Sequence, residues 1–167
     1  MKLKRYFLFV ILGLMFVYFA APQNNTGSSE NLWYQITDFS QLDGTWEGVI
    51  NHTESRSGVT VLVRGNVTLT FDSSTDVFSQ DMAITTSFSG LMARVFWGSI
   101  KRSFENNPEI NAVINDSTRT VTITENTGPK VMDDEEKETI LKTSMINQNG
   151  THIKWSDNQF EIILTRR

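Results

Sequence analysis

The chain of 167 residues contains no cysteine. That excludes disulfides, thiolate metal sites, cysteine nucleophiles and a lipid-modified cysteine near the N-terminus. Only two histidines occur, His52 and His152, too few for a multi-histidine metal centre. There is no excess of positive charge: 15 Lys and Arg face 19 Asp and Glu, a net charge of −4. A nucleic-acid partner, which asks for a basic surface, is set aside on that balance. No serine lies in a Gly-x-Ser-x-Gly elbow, and no glycine loop has the phosphate-binding pattern. What is present, 39% apolar and 20% charged residues, is the composition of a single globular domain.

The first 21 residues read as a targeting segment. Lys2, Lys4 and Arg5 precede an apolar run from Tyr6 to Ala21, and Ala20 and Ala21 offer a small residue for cleavage. Cleavage there leaves Tyr18 or Phe19 at the third position upstream, where a small residue is the norm. The rival is an uncleaved anchor, for which a span of about 20 apolar residues is usual. The run is shorter, so residues 1–21 are expected to be a signal peptide, with membrane contact confined to this signal or anchor. The expected location is secreted, periplasmic or cell-envelope. Loss of the three basic residues leaves 12 basic against 19 acidic side chains, a net charge of −7. Residues 22–37 divide into a polar linker, Gln23 to Glu30, and an arm in which Leu32, Trp33, Tyr34 and Ile36 are too apolar for a free tail. The five Asn-x-Ser/Thr sequons, at Asn24, Asn51, Asn66, Asn115 and Asn149, would be glycosylation acceptors in a eukaryote, but a composition rich in Asn, Ser and Thr is the preferred account of them.

Residues 38–167 form the expected domain, and its period is two almost throughout. From Val59 to Asp72, Val59, Val61, Val63, Gly65, Val67, Leu69 and Phe71 share one face. At about 3.4 Å per residue that run would span roughly 44 Å if straight. Gly65, in the middle of the apolar face, is where such a strand can bend. Further strands are read at Thr45–Asn51, Val77–Phe88, Ile110–Ile114, Arg119–Glu125, Glu138–Asn147, Thr151–Trp155 and Gln159–Thr165. The expectation is a mainly β, eight-stranded antiparallel meander, enough to close a barrel. One segment, Leu91 to Glu105, fits a period of 3.6 instead. Leu91, Met92, Val95, Phe96, Trp97, Ile100 and Phe104 surround a narrow polar sector, with Ser89 as expected N-cap and Asn106-Asn107-Pro108 as stop. This one helix, inserted mid-chain, has an apolar face wide enough to require burial.

At Asp38-Phe39-Ser40-Gln41-Leu42-Asp43-Gly44-Thr45-Trp46 the chain resembles the start of a lipocalin-like (calycin) barrel. The stretch from Gly150 to Trp155 and on through Ile162-Ile163-Leu164 is also similar to small exported lipocalin-like proteins of bacteria. The resemblance implies a short helical turn leading into a first strand with Gly44-x-Trp46. It also implies a basic residue of the last strand, Arg166, over the Trp46 ring. The second lipocalin motif, Thr-Asp-Tyr, is absent. By the same resemblance the protein would bind a small hydrophobic ligand, apolar or amphipathic.

Candidate chemistry is sparse. Asp133-Asp134-Glu135-Glu136 with Glu138 could be imagined as a calcium site, but it lacks the spacing of an EF-hand loop and reads better as a solvated loop. His52 and His152 have no spacing that demands an acid–base pair. We therefore expect no catalytic residue, no metal and no cofactor. Met92, Phe96 and Trp97 on the helix are the candidate ligand-binding residues, either as a lid over an apolar cavity or simply as core. Gly44, Trp46 and Arg166 are the candidate structural signature. The alternative to ligand binding is a non-enzymatic structural or interaction protein of the cell envelope with a filled barrel.

Overall fold

A computed structural model describes residues 32–108, 110–156 and 161–167. Residues 1–31, where a signal peptide and polar linker are expected, and Phe160 lie outside the described residues. The elements are β1 (Trp33–Gln35), a 3-10 turn (Phe39–Leu42), β2 (Gly44–Arg56), β3 (Val59–Asp72), β4 (Val77–Ser89), α1 (Ala93–Glu105) and β5 (Ala112–Asn115). They continue with β6 (Thr120–Val131), α2 (Asp134–Thr143), β7 (Ser144–Asn147), β8 (His152–Ser156) and β9 (Glu161–Arg166). The strands make one open antiparallel sheet in the order β1-β7-β8-β9-β2-β3-β4-β6-β5. The protein is thus mainly β.

Three expectations need correction. Among the described residues the sheet has nine strands, not eight, and is open rather than closed into a barrel, and there are two helices, not one. The extra strand is β1, in the N-terminal arm, where Trp33, Tyr34 and Gln35 pair with Asn147, Ile146 and Met145. The extra helix is α2, which takes the first half of the segment read as a strand over Glu138–Asn147. The acidic cluster explains it. Asp133 is the N-cap and accepts from the backbone N–H of Glu136 at 2.8 Å, while the Glu136 side chain accepts from the Asp133 N–H. Asp134, Glu135 and Glu136 fill the first turn, where carboxylates favour the helix dipole. The cluster is therefore not a loop; it is the start of a helix.

The chain divides into two compact units. The division passes through the four long strands: between Val49 and Ile50, Asn66 and Val67, Asp81 and Met82, and Glu125 and Asn126. In the first unit (Ile50–Asn66 and Met82–Glu125), alternate residues of β3 and β4 are buried: Val59, Val61 and Val63, then Met82, Ile84, Thr86 and Phe88. Val121 and Ile123 of β6 and Phe104 of α1 complete this core. β2 turns into β3 through Ser57 and Gly58, both at positive φ (52° and 77°), the two-residue turn whose twist matches a hairpin. β5 pairs with β6 from Ala112 opposite Ile123 to Asn115 opposite Thr120. Asn115 closes that turn by accepting from the N–H groups of Ser117 and Thr118.

The second unit has its own core of Ile36, Leu42, Trp46, Leu69, Phe71, Phe78, Met132, Ile140, Ile146, Ile153 and Leu164. The Phe71 ring lies 5.1 Å from Phe78 and 5.7 Å, edge-on, from Phe39. Asp72 caps the β3–β4 turn by accepting from Ser74 and Thr75, which holds its carboxyl below the usual range. β7, β8 and β9 form an antiparallel run with Ile146 opposite Ile153 and Ile153 opposite Leu164.

Gly65 lies on β3 hard against the β4 backbone. A Cβ there would meet the Ala83 carbonyl oxygen and approach the Ile84 Cα to 2.9 Å. Both are backbone atoms that cannot swing aside. Gly65→Ala should therefore lower stability by about 1–3 kcal/mol in urea unfolding, the usual penalty for overpacking. Gly128→Ala, whose Cβ would meet nothing within 4 Å, should leave the midpoint nearly unchanged.

Candidate functional site

α1 starts without a side-chain cap. Ser89 ends β4 and is not the N-cap; that position is Met92, whose backbone N–H donates to the Gly58 carbonyl at 3.1 Å. Gly90, at φ +98°, makes the reversal from strand to helix, and a Cβ on it would strike the same Gly58 oxygen. A glycine pair thus seats the helix against the β2–β3 turn. Met92 is half-buried there; its Cγ would stand 3.1 Å from a Cβ on Gly58.

The helix does not bury most of its apolar face, as its sequence led us to expect. Ala93 and Phe104 are buried, and Ile100 is half-buried. Leu91 in the preceding turn is 86% exposed, Val95 67% and Phe96 47%. Trp97 is turned the other way. Its ring lies 5.9 Å from Phe88, and its Nε1–H donates to Asp116 Oδ1 at 2.8 Å. Lys101 donates to Asp116 Oδ2 at 2.6 Å and stands 3.6 Å from Glu105. Of the three candidate ligand residues, Met92 and Trp97 are part of the helix seat, while Phe96 faces water. The arrangement offers apolar contact rather than proton transfer. The sequence singles out Met92, Phe96 and Trp97 by size but does not separate the buried from the exposed apolar positions of α1. The exposed subset was hidden because a single helix of this composition can face the sheet in more than one way.

The Gly44–Trp46–Arg166 cluster lies in the second unit. Asp38 caps the 3-10 turn, and Gln41 reaches back to the Asp38 N–H. Gly44 at φ +106° leads out of the turn into β2. Trp46 is fully buried and donates Nε1–H to the Leu42 carbonyl at 2.6 Å. Arg166 pairs with Trp46 across β2 and β9, and its guanidinium lies 4.5 Å from the indole centroid. Its Nη2 donates to the Gln41 carbonyl at 2.7 Å. Arg167 pairs with Glu47 at 2.9 Å. Trp33 in the arm has Lys154 over its ring at 4.8 Å, a packing role.

The two histidines lie in different units, His52 on β2 and His152 on β8. His152 Nδ1 is 2.9 Å from Thr151 Oγ1, in a turn organised by Asn147, which accepts from the N–H groups of Thr151 and His152. Among the described residues no three His, Asp or Glu side chains group around a metal-sized point. No described helix is long and apolar enough to cross a membrane. Comparison with known proteins finds no family model, no curated protein and no solved structure that matches the chain.

Two outcomes follow from this geometry. Lys101 first, and Trp97 second, hold the Asp116 carboxyl below its ordinary value of 3.8 by hydrogen bonding to the ionised form. A depressed folded-state pKa stabilises above the unfolded value, and that contribution is lost as pH falls through the folded pKa. The Trp97 indole N–H resonance, one of four in this chain, should hold steady from neutral pH to about 4 and shift only below it. Asp116→Asn, which can still accept from the indole but cannot ionise, should abolish that shift. Separately, Trp46→Ala should cost about 3–5 kcal/mol in chemical unfolding, as expected for loss of a fully buried indole.

Proposed function

We propose that this chain is an exported lipocalin-like protein of the bacterial cell envelope that acts by binding, not catalysis. The exposed face of α1 is the surface that engages a small apolar or amphipathic ligand. One observation carries the reading: α1 leaves Leu91, Val95 and Phe96 in water although Ala93 and Phe104 anchor it. Exposed apolar side chains occur elsewhere in the chain, but Leu91 in the turn and Val95 and Phe96 on the helix cluster within a short stretch, as a binding patch does. Lipocalin-like parentage is supported by the pairing of β2, the first long strand, with β9, the last, and by Arg166 over Trp46 beside a capped 3-10 turn. Export is supported by the basic start and apolar run of residues 1–21.

A second reading, an interaction protein of the envelope, is favoured by the same exposure, because Phe96 faces away from the Trp97 seat. Titration with fatty acids, retinoid-like and haem-like compounds separates the two. Saturable movement of the Trp97 indole and Phe96 ring resonances, weakened about tenfold by Phe96→Ser, is the expected result. Silence toward every compound would move the protein to the interaction class.

A further inference from the structure

We propose that α1 docks on an anionic lipid surface, with Leu91, Val95 and Phe96 entering the boundary between headgroups and acyl chains, and Arg94 and Arg102 meeting the phosphates. This rests on the reading above that the exposed face of α1 is the working surface, and it names the partner.

Three observations select that partner. The first is shape. Val95, Gly98 and Arg102 follow one ridge of the helix at i, i+3 and i+7, and the only atom near a Cβ on Gly98 would be the Arg102 guanidinium, at 4.0 Å. Val95 thus stands on an open ridge, with Leu91 one turn before it and Phe96 beside it, on a side of the helix left exposed from Arg94 to Phe96 and at Gly98 and Ser99. The second is the charge of the helix. Arg94, Lys101 and Arg102 outnumber Glu105, and both arginines are exposed. Long basic side chains beside an apolar ridge can reach up to phosphates while their stems stay apolar. The third is the distribution of charge along the chain. Ile50–Asn66 and Met82–Glu125, the unit that carries α1, hold 6 basic and 5 acidic side chains, a net +1. Ala20–Val49, Val67–Asp81 and Asn126–Arg167 hold 6 basic and 14 acidic, a net −8. Exposed apolar side chains also occur in the acidic unit, at Val49, Val131 and Ile163, but Leu91, Val95 and Phe96 are the ones that stand beside exposed arginines, on the unit an anionic surface does not repel. A targeting run that carries the chain to a membrane agrees with this partner.

The chain lacks cysteine, so a single label can be placed without background. Val95→Cys, labelled with an environment-sensitive nitrobenzoxadiazole dye, is mixed with vesicles of phosphatidylcholine alone or with about a third phosphatidylglycerol. The position of the label is the readout, because an N-terminal anchor could hold any form of the protein on a vesicle. A blue shift and brightening with anionic vesicles, lost in high salt, is expected, with no change for the same dye at Glu138→Cys on α2. Arg94→Gln with Arg102→Gln should weaken the transition about fivefold per arginine, and Phe96→Ser should weaken it further, with circular dichroism unchanged. Equal response to neutral vesicles, or none to either, overturns the proposal. If vesicles fail while monomeric fatty acids still shift Phe96, the docking inference falls and the ligand-binding reading stands. If both fail, both fall. Insertion without any monomeric ligand keeps the docking and removes the small-ligand reading.

Discussion

A buried indole must find an acceptor, and in this protein that requirement ties the beginning of the fold to its end. The Trp46 N–H lies out of reach of water, and the acceptor it uses, the Leu42 carbonyl, belongs to the 3-10 turn four residues earlier. The turn must therefore hold its shape, which the reciprocal Asp38 and Gln41 cap secures. Gln41 also lends its backbone carbonyl to Arg166, so the cation that covers the indole is aimed by the same turn. Asp43, next in the chain, accepts from the backbone and hydroxyl of Ser73 at the β3–β4 turn. Within one unit, then, a single aromatic side chain fixes the relation of the turn, β2 and β9. Its ring is worth more through these attachments than through its own buried area.

The first unit is organised by a different constraint, the approach of backbone to backbone. Gly65 lets β4 come within a distance that a side chain would forbid, and Gly90 does the same against the Gly58 backbone where α1 leaves the sheet. Helix α1 is consequently placed by its N-terminal turn and by Ala93, Trp97 and Phe104, with the indole clipped to Asp116 at the β5–β6 turn. These anchors occupy only one side of the helix. Nothing in this seating needs Leu91, Val95 or Phe96, which is why they can stay in water without loosening the helix.

Much of the strand structure was legible because half-buried strands alternate. Val59 to Phe71 and Phe78 to Phe88 show the period in sequence, and the same residues line the cores. Two things were not legible for physical reasons. Thr139, Ile140 and Leu141 have strand-like chemistry, yet the Asp133–Glu136 capping box and a carboxylate-rich first turn outweigh it and make a helix. β1 is only three residues long, too short for alternation to register, and exists because β7 supplies its partner. For the site, composition located the helix and the bulky residues on it. It could not say which of Phe96 and Trp97 faces the sheet, since the two are adjacent and both large and aromatic, and the acceptor that only the Trp97 indole N–H can use lies elsewhere in the chain. Asp116, 19 residues away, supplies that partner to Trp97.

Consistency between local pattern and tertiary packing is the rule in this fold, and the exceptions are informative. The valines and isoleucines on the inner faces of β3 and β4, Val59, Val61, Val63, Val67 and Ile84, are buried where the alternation puts them, while Val49 on β2 and Val131 on β6 fall on outer faces and stay exposed. The acidic residues cap a helix or close turns. Threonines on the outer faces pair across strands, as Thr45 with Thr70 and Thr85 with Thr122. Against that background α1 is out of line: its own sequence asks for burial, and its seat denies it to Leu91, Val95 and Phe96. Loose packing does not account for this, because Ala93 and Phe104 on the same helix are fully engaged. An exposed apolar ridge that the fold does not need, on the unit that carries little net charge, is better explained by something outside the chain than by anything within it.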